Sequence, residues 1–293
     1  MRVVPVRVLI TGGGGQLAEM LVKTCPPDKH AVAASRQDLD VTDAEGVTRM
    51  FERRLFRLVI NCAAYTAVDE AESQPDRAFD VNAAGAENVA RAARQTGARM
   101  IQISTDFVFG GQRPTPCRVD DEAAPVNIYG ASKLAGEIRA SDVHAGGVAI
   151  VRTSWLYAST GRNFVTSMLH LMRERDHLDI VVDQIGGPTW ARALADVIWR
   201  ISELSSAGTY HWSDAGVASW YDFALAIQEE AMQQGLLSAA IPVRPVMTED
   251  YRPKAKRPAY SVLDCRATQA ELGVAPAHWR ANLRRMLAEM ANA

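Results

Sequence analysis

The chain has 293 residues, of which 48% are hydrophobic and 23% charged, with a formal net charge of -2 at pH 7. That length supports one large or two closely joined domains with a sizeable core. The near-neutral balance supplies neither the basic face of a nucleic-acid binder nor an acidic tail, and no run approaches the ~20 apolar residues that span a bilayer. No nucleic-acid partner and no membrane association are therefore expected.

The opening residues read MRVVPVRVLITGGGG. Pro5 and Arg7 interrupt the apolar run and glycines end it, so the segment reads as a first strand rather than a secretory signal. Cys25, Cys62, Cys117 and Cys265 are dispersed, with no C-x-x-C pair. They read as buried small hydrophobes in a reducing compartment, and a cytoplasmic location is expected. The six histidines are scattered as well, which leaves a metal hydrolase without a ligand motif and predicts no metal.

In chain order the pattern predicts a strand at Val6–Ile10, a helix near Gln16–Cys25, a strand at Ala31–Ala34 and a helix at Ala44–Arg53. A strand at Leu58–Cys62, a long helix at Phe79–Thr96 and a strand at Met100–Ser104 follow. The series closes with a helix at Tyr129–Ala140 and a strand at Val148–Thr153. Strands alternating with helices imply an α/β fold of the Rossmann type, a doubly wound parallel sheet covered on both faces. Apolar runs such as VRVLI and VAIVR suit strands buried on both sides. Beyond residue 150 the texture changes. All six tryptophans (Trp155, Trp190, Trp199, Trp212, Trp220 and Trp279) lie there, and prolines gather at Pro242, Pro245, Pro253 and Pro258.

The run Thr11 to Ala18, TGGGGQLA, follows the first strand and opens the first helix. Gly13, Gly15 and Ala18 satisfy G-x-G-x-x-A, and Gly12, Gly15 and Ala18 satisfy the wider G-x-x-G-x-x-A. Backbone without Cβ lets a pyrophosphate approach the helix N-terminus, where free N–H groups and the dipole favour negative charge. In that context the run predicts dinucleotide binding. Residues 1–152 therefore read as an NAD(P)-binding domain, with possible returning elements near 190–212, and residues 153–293 as mainly a substrate-binding lobe. The second strand ends at Ser35 and Arg36, where NAD-binding chains carry an acid for the ribose 2′-OH. A guanidinium there suits a 2′-phosphate, so NADPH is the expected cofactor, with NADH as the other possibility.

Tyr129-Gly-Ala-Ser-Lys133 places a phenol and an amine on one helix face. A free tyrosine has a pKa of about 10. A neighbouring ammonium would lower it and fit the phenol for general acid work on a carbonyl during hydride delivery. Thr105, at a strand's carboxyl end, offers a hydroxyl to orient that carbonyl. Chance supplies the Tyr-x-x-x-Lys spacing often. The order of glycine loop, Thr105 and then Tyr129 with Lys133 is what gives it meaning.

Several segments together resemble the extended short-chain dehydrogenases, and in particular the dTDP-4-dehydrorhamnose reductase family. They are ITGGGGQLA at 10–18, LDVTD at 39–43, NCAAYTAVDEAE at 61–72, VNAAG at 81–85, STDFVFGG at 104–111, PVNIYGASKLAGE at 125–137, VRTSWLYA at 151–158, DQIGGPT at 183–189 and RPAYSVLD at 257–264. The resemblance implies NAD(P)H-dependent reduction of the C4 ketone of a dTDP-linked deoxy keto-sugar, dTDP-4-dehydro-6-deoxy-L-mannose, to dTDP-L-rhamnose. It implies Tyr129 as proton donor, assisted by Lys133 and Thr105. Gly15, Gln16 and Leu17 would line the pyrophosphate, Asp40 and Val41 the adenine, and Ala63, Ala64 and Tyr65 the rest of the cofactor. Thr105, Asp106 and Trp155 would face the sugar, the tryptophan as an apolar platform.

Two departures stand out. Phe107 replaces the tyrosine usual in the family's S-T-D-Y-V-F segment. Met20 and Arg192 stand where some members place carboxylates around a dimer-bridging magnesium, and neither is a magnesium ligand. Monomer and homodimer both stay open. The same residues also admit a reductase or epimerase acting on another nucleotide sugar, or a non-catalytic subunit like the regulatory subunit of methionine adenosyltransferase. Thr105, Tyr129 and Lys133 together weigh against the last.

Overall fold

The computed structural model of the protein describes residues 5–292. Its first half alternates strands and helices: β1 (Val6–Thr11), α1 (Gln16–Lys23), β2 (Lys29–Ala34), α2 (Ala44–Arg54), β3 (Leu58–Asn61), the short α3 (Val68–Ala71) and α4 (Pro75–Phe79), α5 (Gly85–Thr96), β4 (Arg99–Thr105), α6 (Ile128–Val143) and β5 (Val148–Thr153). The second half contains β6 (Leu156–Tyr157), α7 (Phe164–Glu174), β7 (Leu178–Val181), β8 (Ile185–Gly186), β9 (Thr189–Trp190) and α8 (Ala191–Glu203). It continues with β10 (Gly208–His211), β11 (Ala218–Ser219), α9 (Trp220–Gln233), β12 (Val243–Val246), α10 (Thr248–Tyr251), α11 (Arg266–Leu272) and α12 (Trp279–Ala291).

A six-stranded sheet in the order β10-β5-β4-β3-β1-β2 forms the centre, and every pairing in it is parallel. β5 is buried at every position, as a strand covered on both faces must be. The order reverses between β1 and β3. Ligands of doubly wound sheets bind at such a reversal, outside the carboxyl ends of the strands. β10 extends the sheet beyond β5, with Thr209 opposite Ile150 and Tyr210 opposite Val151.

The long helix expected at Phe79–Thr96 is one rod that starts earlier. Pro75 opens α4 in the first helical turn, where its missing N–H costs nothing. A π-helical turn at Asp80–Ala84 then joins α4 to α5. Periodicity alone cannot show a turn wider than 3.6 residues. That turn presents Asn82, whose side chain accepts from the Tyr65 N–H at 2.8 Å and donates to Ser132 Oγ at 2.9 Å. It therefore fixes the loop after β3 against α6.

The tryptophans divide between two cores. Trp199 and Trp212 pack with Val8, Ile10 and Leu21 against the sheet, and Trp199 Nε1 donates to Thr24 Oγ1 at 3.2 Å. Trp190 and Trp279 pack with Tyr157, Phe223 and Leu283 in a second core, against which Trp155 and Trp220 lie. The compositional change at residue 150 is thus no clean boundary, because α8 and β10 return to the first sheet.

Candidate active site

A cavity of about 400 Å³ opens at the sheet's reversal point. Its walls bring together Gly12, Gly15, Gln16 and Leu17 from the turn between β1 and α1, Ala63 and Ala64 after β3, and Thr105 and Asp106 after β4. Tyr129 and Lys133 of α6 and Trp155 after β5 complete it. Ser35, Arg36, Asp40, Val41 and Tyr65 are not among the lining residues. The glycine turn is tied to β2 nevertheless, because Gly13 N donates to Ala34 O at 2.7 Å.

Gly12 is required twice over. Its φ is +70°, and a Cβ there would stand 2.8 Å from Ala63 N. No side chain fits between β1 and β3 at that point. Gln16 Oε1, Ser104 Oγ and Thr153 Oγ1 are buried polar atoms with no protein partner, and all three residues line the cavity. Buried polar groups are otherwise paired. A glycine cradle with unpaired polar atoms around it fits a polar nucleotide. Ser104 and Thr153, inside two of the segments that carry the resemblance but given no role there, sit near the carboxyl ends of β4 and β5. The rule that places ligands there was the available signal. Thr66, Ser154 and Leu156 also line the cavity, and they too lie inside quoted segments without an assigned role.

At the end of β2, acids do return to the strand tip. Asp38 accepts from Ser35 N at 2.9 Å and from Ser35 Oγ at 2.6 Å, and Asp40 accepts from Arg36 Nε at 3.2 Å. Arg36 remains exposed. Val41 is buried beneath, its carbonyl accepting from Asn88 Nδ2 at 3.0 Å.

The Tyr129–Lys133 pair needs correction. Both side chains reach the cavity, but Lys133 Nζ donates to Ile103 O at 2.6 Å. The phenol is not lowered by an ammonium. Burial pushes it up to about 12, opposed by the Thr105 hydroxyl and reinforced by Asp106. Burial also pushes Lys133 down to about 8, against an upward pull from Glu137 one turn further along α6. The i,i+4 spacing places two residues on one face; it does not aim their tips at each other. Glu137 itself is buried and takes Arg152 Nη2 at 2.7 Å and Nε at 3.0 Å.

Thr105 Oγ1 donates to Asp106 Oδ1 at 3.1 Å and accepts from Phe107 N at 3.2 Å. Asp106 Oδ2 accepts from Ser261 Oγ. Asp106 thus borders the cavity with each oxygen engaged by a protein hydroxyl. Its carboxyl is pushed up to about 7 by burial. The Phe107 ring packs edge-on against Tyr129 at 5.7 Å, so this departure from the usual tyrosine makes an apolar wall for the phenol.

Trp155 has φ +44°, a region costly for a large side chain. Its indole stacks on Trp220 at 3.5 Å and 3°, and lies so close over Gly186 that a Cβ there would come within 2.4 Å of its ring. Packing from the second core therefore sets the platform. Of the other positions singled out, Met20 is buried in the first core, and Arg192 pairs with Glu289 at 2.7 Å.

A glycine turn at the reversal point of a doubly wound sheet, with a buried Tyr-x-x-x-Lys helix beside it, is the architecture of nicotinamide-dependent oxidoreductases of the short-chain type. Comparison with known proteins narrows the class. The chain belongs to the dTDP-4-dehydrorhamnose reductase family: the family described as RmlD substrate binding domain matches residues 6–292. Spore coat polysaccharide biosynthesis protein SpsK of Bacillus subtilis is 40% identical, covering 98% of this chain and 99% of its own. The dTDP-4-dehydrorhamnose reductase of Aggregatibacter actinomycetemcomitans is 37% identical over 96% of this chain and 98% of its own. Among solved structures, the dTDP-4-dehydrorhamnose reductase of Bacillus anthracis in complex with NADP superposes with a TM-score of 0.93 at 38% identity, over 97% of this chain and 99% of that one. A UDP-glucose 4-epimerase of Thermus thermophilus, at 19% identity and TM-score 0.80, shares the fold alone.

Proposed function

We propose that this protein reduces the C4 ketone of dTDP-4-dehydro-6-deoxy-L-mannose to give dTDP-L-rhamnose, with NADPH as the preferred reductant and NADH as a second. The observation that carries the reading is the meeting of Thr105, Tyr129 and Lys133 with the glycine turn around one cavity. A non-catalytic binding role would not need those three side chains together.

The first-sheet half of the chain, roughly residues 1–152 with the returning elements near 190–212, serves the cofactor, and the remainder serves mainly the sugar nucleotide. Gly12, Gly15, Gln16 and Leu17 hold the pyrophosphate at the N-terminus of α1. Ala63, Ala64 and Tyr65 follow the cofactor's length, and Asp40 and Val41 border the adenine. Ser35 and Arg36 meet the 2′-phosphate. The exposed Arg36–Asp40 pair is worth at most about 1 kcal/mol, so Arg36 turns readily to a phosphate. When bound, NADPH supplies the hydride. Tyr129 gives its proton to the C4 oxygen, Thr105 orients that oxygen, and Lys133 holds the nicotinamide ribose. A phenol pushed up to about 12 stays protonated at neutral pH, which suits a donor in the reducing direction. Trp155 offers its indole to the deoxysugar face, and Asp106 borders the sugar while buttressing Thr105. A nucleotide-sugar substrate and free cysteines suit a cytoplasmic setting.

Coupled turnover tests the proposal. The keto-sugar is generated in situ, NADPH is added, and the product sugar is identified. Formation of dTDP-L-rhamnose is expected, whereas no NADPH oxidation, or a different sugar, refutes the reading. A kcat/KM that clearly favours NADH removes the assignment of Arg36.

A further inference from the structure

A cavity of about 890 Å³ lies between α8, the chain just after β10, and α12. It shares no lining residue with the cavity that holds Tyr129 and Lys133. Its floor is polar and buried, with Trp212 3% exposed and Asp214 and Asn282 2% each. Asp214 Oδ2 accepts from Trp190 N at 3.1 Å, but Asp214 Oδ1 and the Trp212 Nε1–H have no partner. Asn282 opposes the upward push of burial on the Asp214 carboxyl, yet it completes no hydrogen bond with Oδ1. Five buried side-chain atoms are orphaned in this way among the described residues, and the other three belong to the active-site cavity. Buried polar groups are normally paired, and leaving one open costs about 1–3 kcal/mol. The rim is cationic. Arg192 is committed to Glu289 at 2.7 Å and lies over the Trp190 ring, and Arg200 shares Asp196 with it. Arg285 has no carboxylate partner among the ion pairs of the described residues. Its Nη1 reaches Asn282 Oδ1 at 3.5 Å, which ties the rim to the floor.

We propose that this cavity is a second ligand site, for a sugar that carries an anionic group. The floor asks for an acceptor opposite Trp212 Nε1–H and a donor opposite Asp214 Oδ1, and a hydroxyl supplies both. An apolar ligand would leave both floor atoms open, and a bare anion would bring negative charge to Asp214 with no donor for it. The rim asks for the anion: guanidinium groups pair with phosphate or carboxylate, and Arg285 stands three residues beyond Asn282 on the same face of α12. The Trp190 ring, in the wall beside Arg192, offers an aromatic face to the sugar. The volume falls within the range of small-molecule sites, about 300–1,000 Å³. The role is recognition, and it stands independently of the reaction proposed for the other cavity.

Calorimetric titration of the full chain with glucose 1-phosphate and with glucuronate tests the site and tells the two anions apart. At least one should bind with a Kd of about 1 mM or below, and about tenfold or more tightly than inorganic phosphate or glucose alone. Arg285→Gln, on the exposed rim, should weaken that binding about tenfold, and Trp212→Phe, which removes only the N–H end of the indole, about fivefold. Trp155→Ala, in the other cavity, should leave it within about twofold. Should Trp212→Phe fail to fold, Arg285→Gln decides alone. The proposal is overturned if neither sugar binds, if inorganic phosphate or glucose binds equally well, or if Trp155→Ala removes the binding while Arg285→Gln leaves it intact.

Discussion

One wall of the cavity comes from short stretches at the strand ends of the first sheet and from one turn of α6, whereas the other depends on residues far apart in the chain. Gly12, Gly15, Gln16 and Leu17 line their wall through a single β-turn-α connection, and Tyr129 and Lys133 share one helix face. Across the cavity, Trp155 is held by Trp220 and by the bare backbone of Gly186. Asp106 is held by Ser261, 155 residues away. In the proposed reaction the wall built locally carries the chemistry common to a broad class of reductases. The wall built from distant segments would then carry what distinguishes one sugar from another, and it is the more exposed to change in the second core.

The largest expected effect strikes the local wall. Tyr129→Phe removes the proposed proton donor and little else, so kcat should drop roughly 100- to 10,000-fold while NADPH binding, followed by fluorescence titration, stays as in wild type. Near-normal turnover would erase the contrast between a chemical and a selective wall. Next comes the support behind that wall. Arg152→Met leaves Glu137 buried without its cation, and should cost roughly 3–5 kcal/mol in denaturant unfolding. A loss below about 1 kcal/mol would mean that the Arg152–Glu137 pair adds little to the stability of that wall.

On the opposite wall, Trp155→Ala should raise KM for the sugar nucleotide roughly five- to tenfold, the worth of an aromatic contact of about 1 kcal/mol, and leave KM for NADPH unchanged. Equal rises in both would make the indole a structural part of the whole cavity. The smallest effect belongs to the second core. Glu230 is buried between Arg280 and Arg284, and its carboxyl is held below the usual range chiefly by the hydrogen bond from Arg284. Both arginines are substantially exposed, so Glu230→Gln should cost only about 1 kcal/mol at pH 7. A lowered acid stabilises above its unfolded value of about 4.3 and loses that contribution as the pH falls below it. The gap between variant and wild type in thermal unfolding should therefore close on acidification. A gap that persists at low pH would trace the loss to packing rather than to charge.

Much of the architecture was legible because it is written in local pattern. The nine elements expected between Val6 and Thr153 follow the alternation of apolar runs with amphipathic stretches, and their observed boundaries differ from the expected ones by a few residues, while the short α3 carried no such pattern. The helix at Pro75–Thr96 is the exception, since its π-turn is a consequence of packing Asn82 against Tyr65 and Ser132. Among the candidate site residues, those next to glycine or on one helix face came together around the cavity. Spacing failed where direction mattered. Lys133 is one turn from Tyr129, yet its amine finds the Ile103 carbonyl, because a buried ammonium takes the nearest acceptor.

By itself the sequence determined the parallel sheet, the glycine turn and the family, because each rests on residues close together in the chain, where backbone geometry and burial period leave few choices. The tertiary structure alone decided the electrostatics of the Tyr129–Thr105–Asp106 group, the left-handed pose of Trp155 and the return of Trp199 and Trp212 to the first core. Those features depend on desolvation and on contacts between segments that only folding brings together, and no local pattern encodes how deeply a carboxyl or a phenol will be buried.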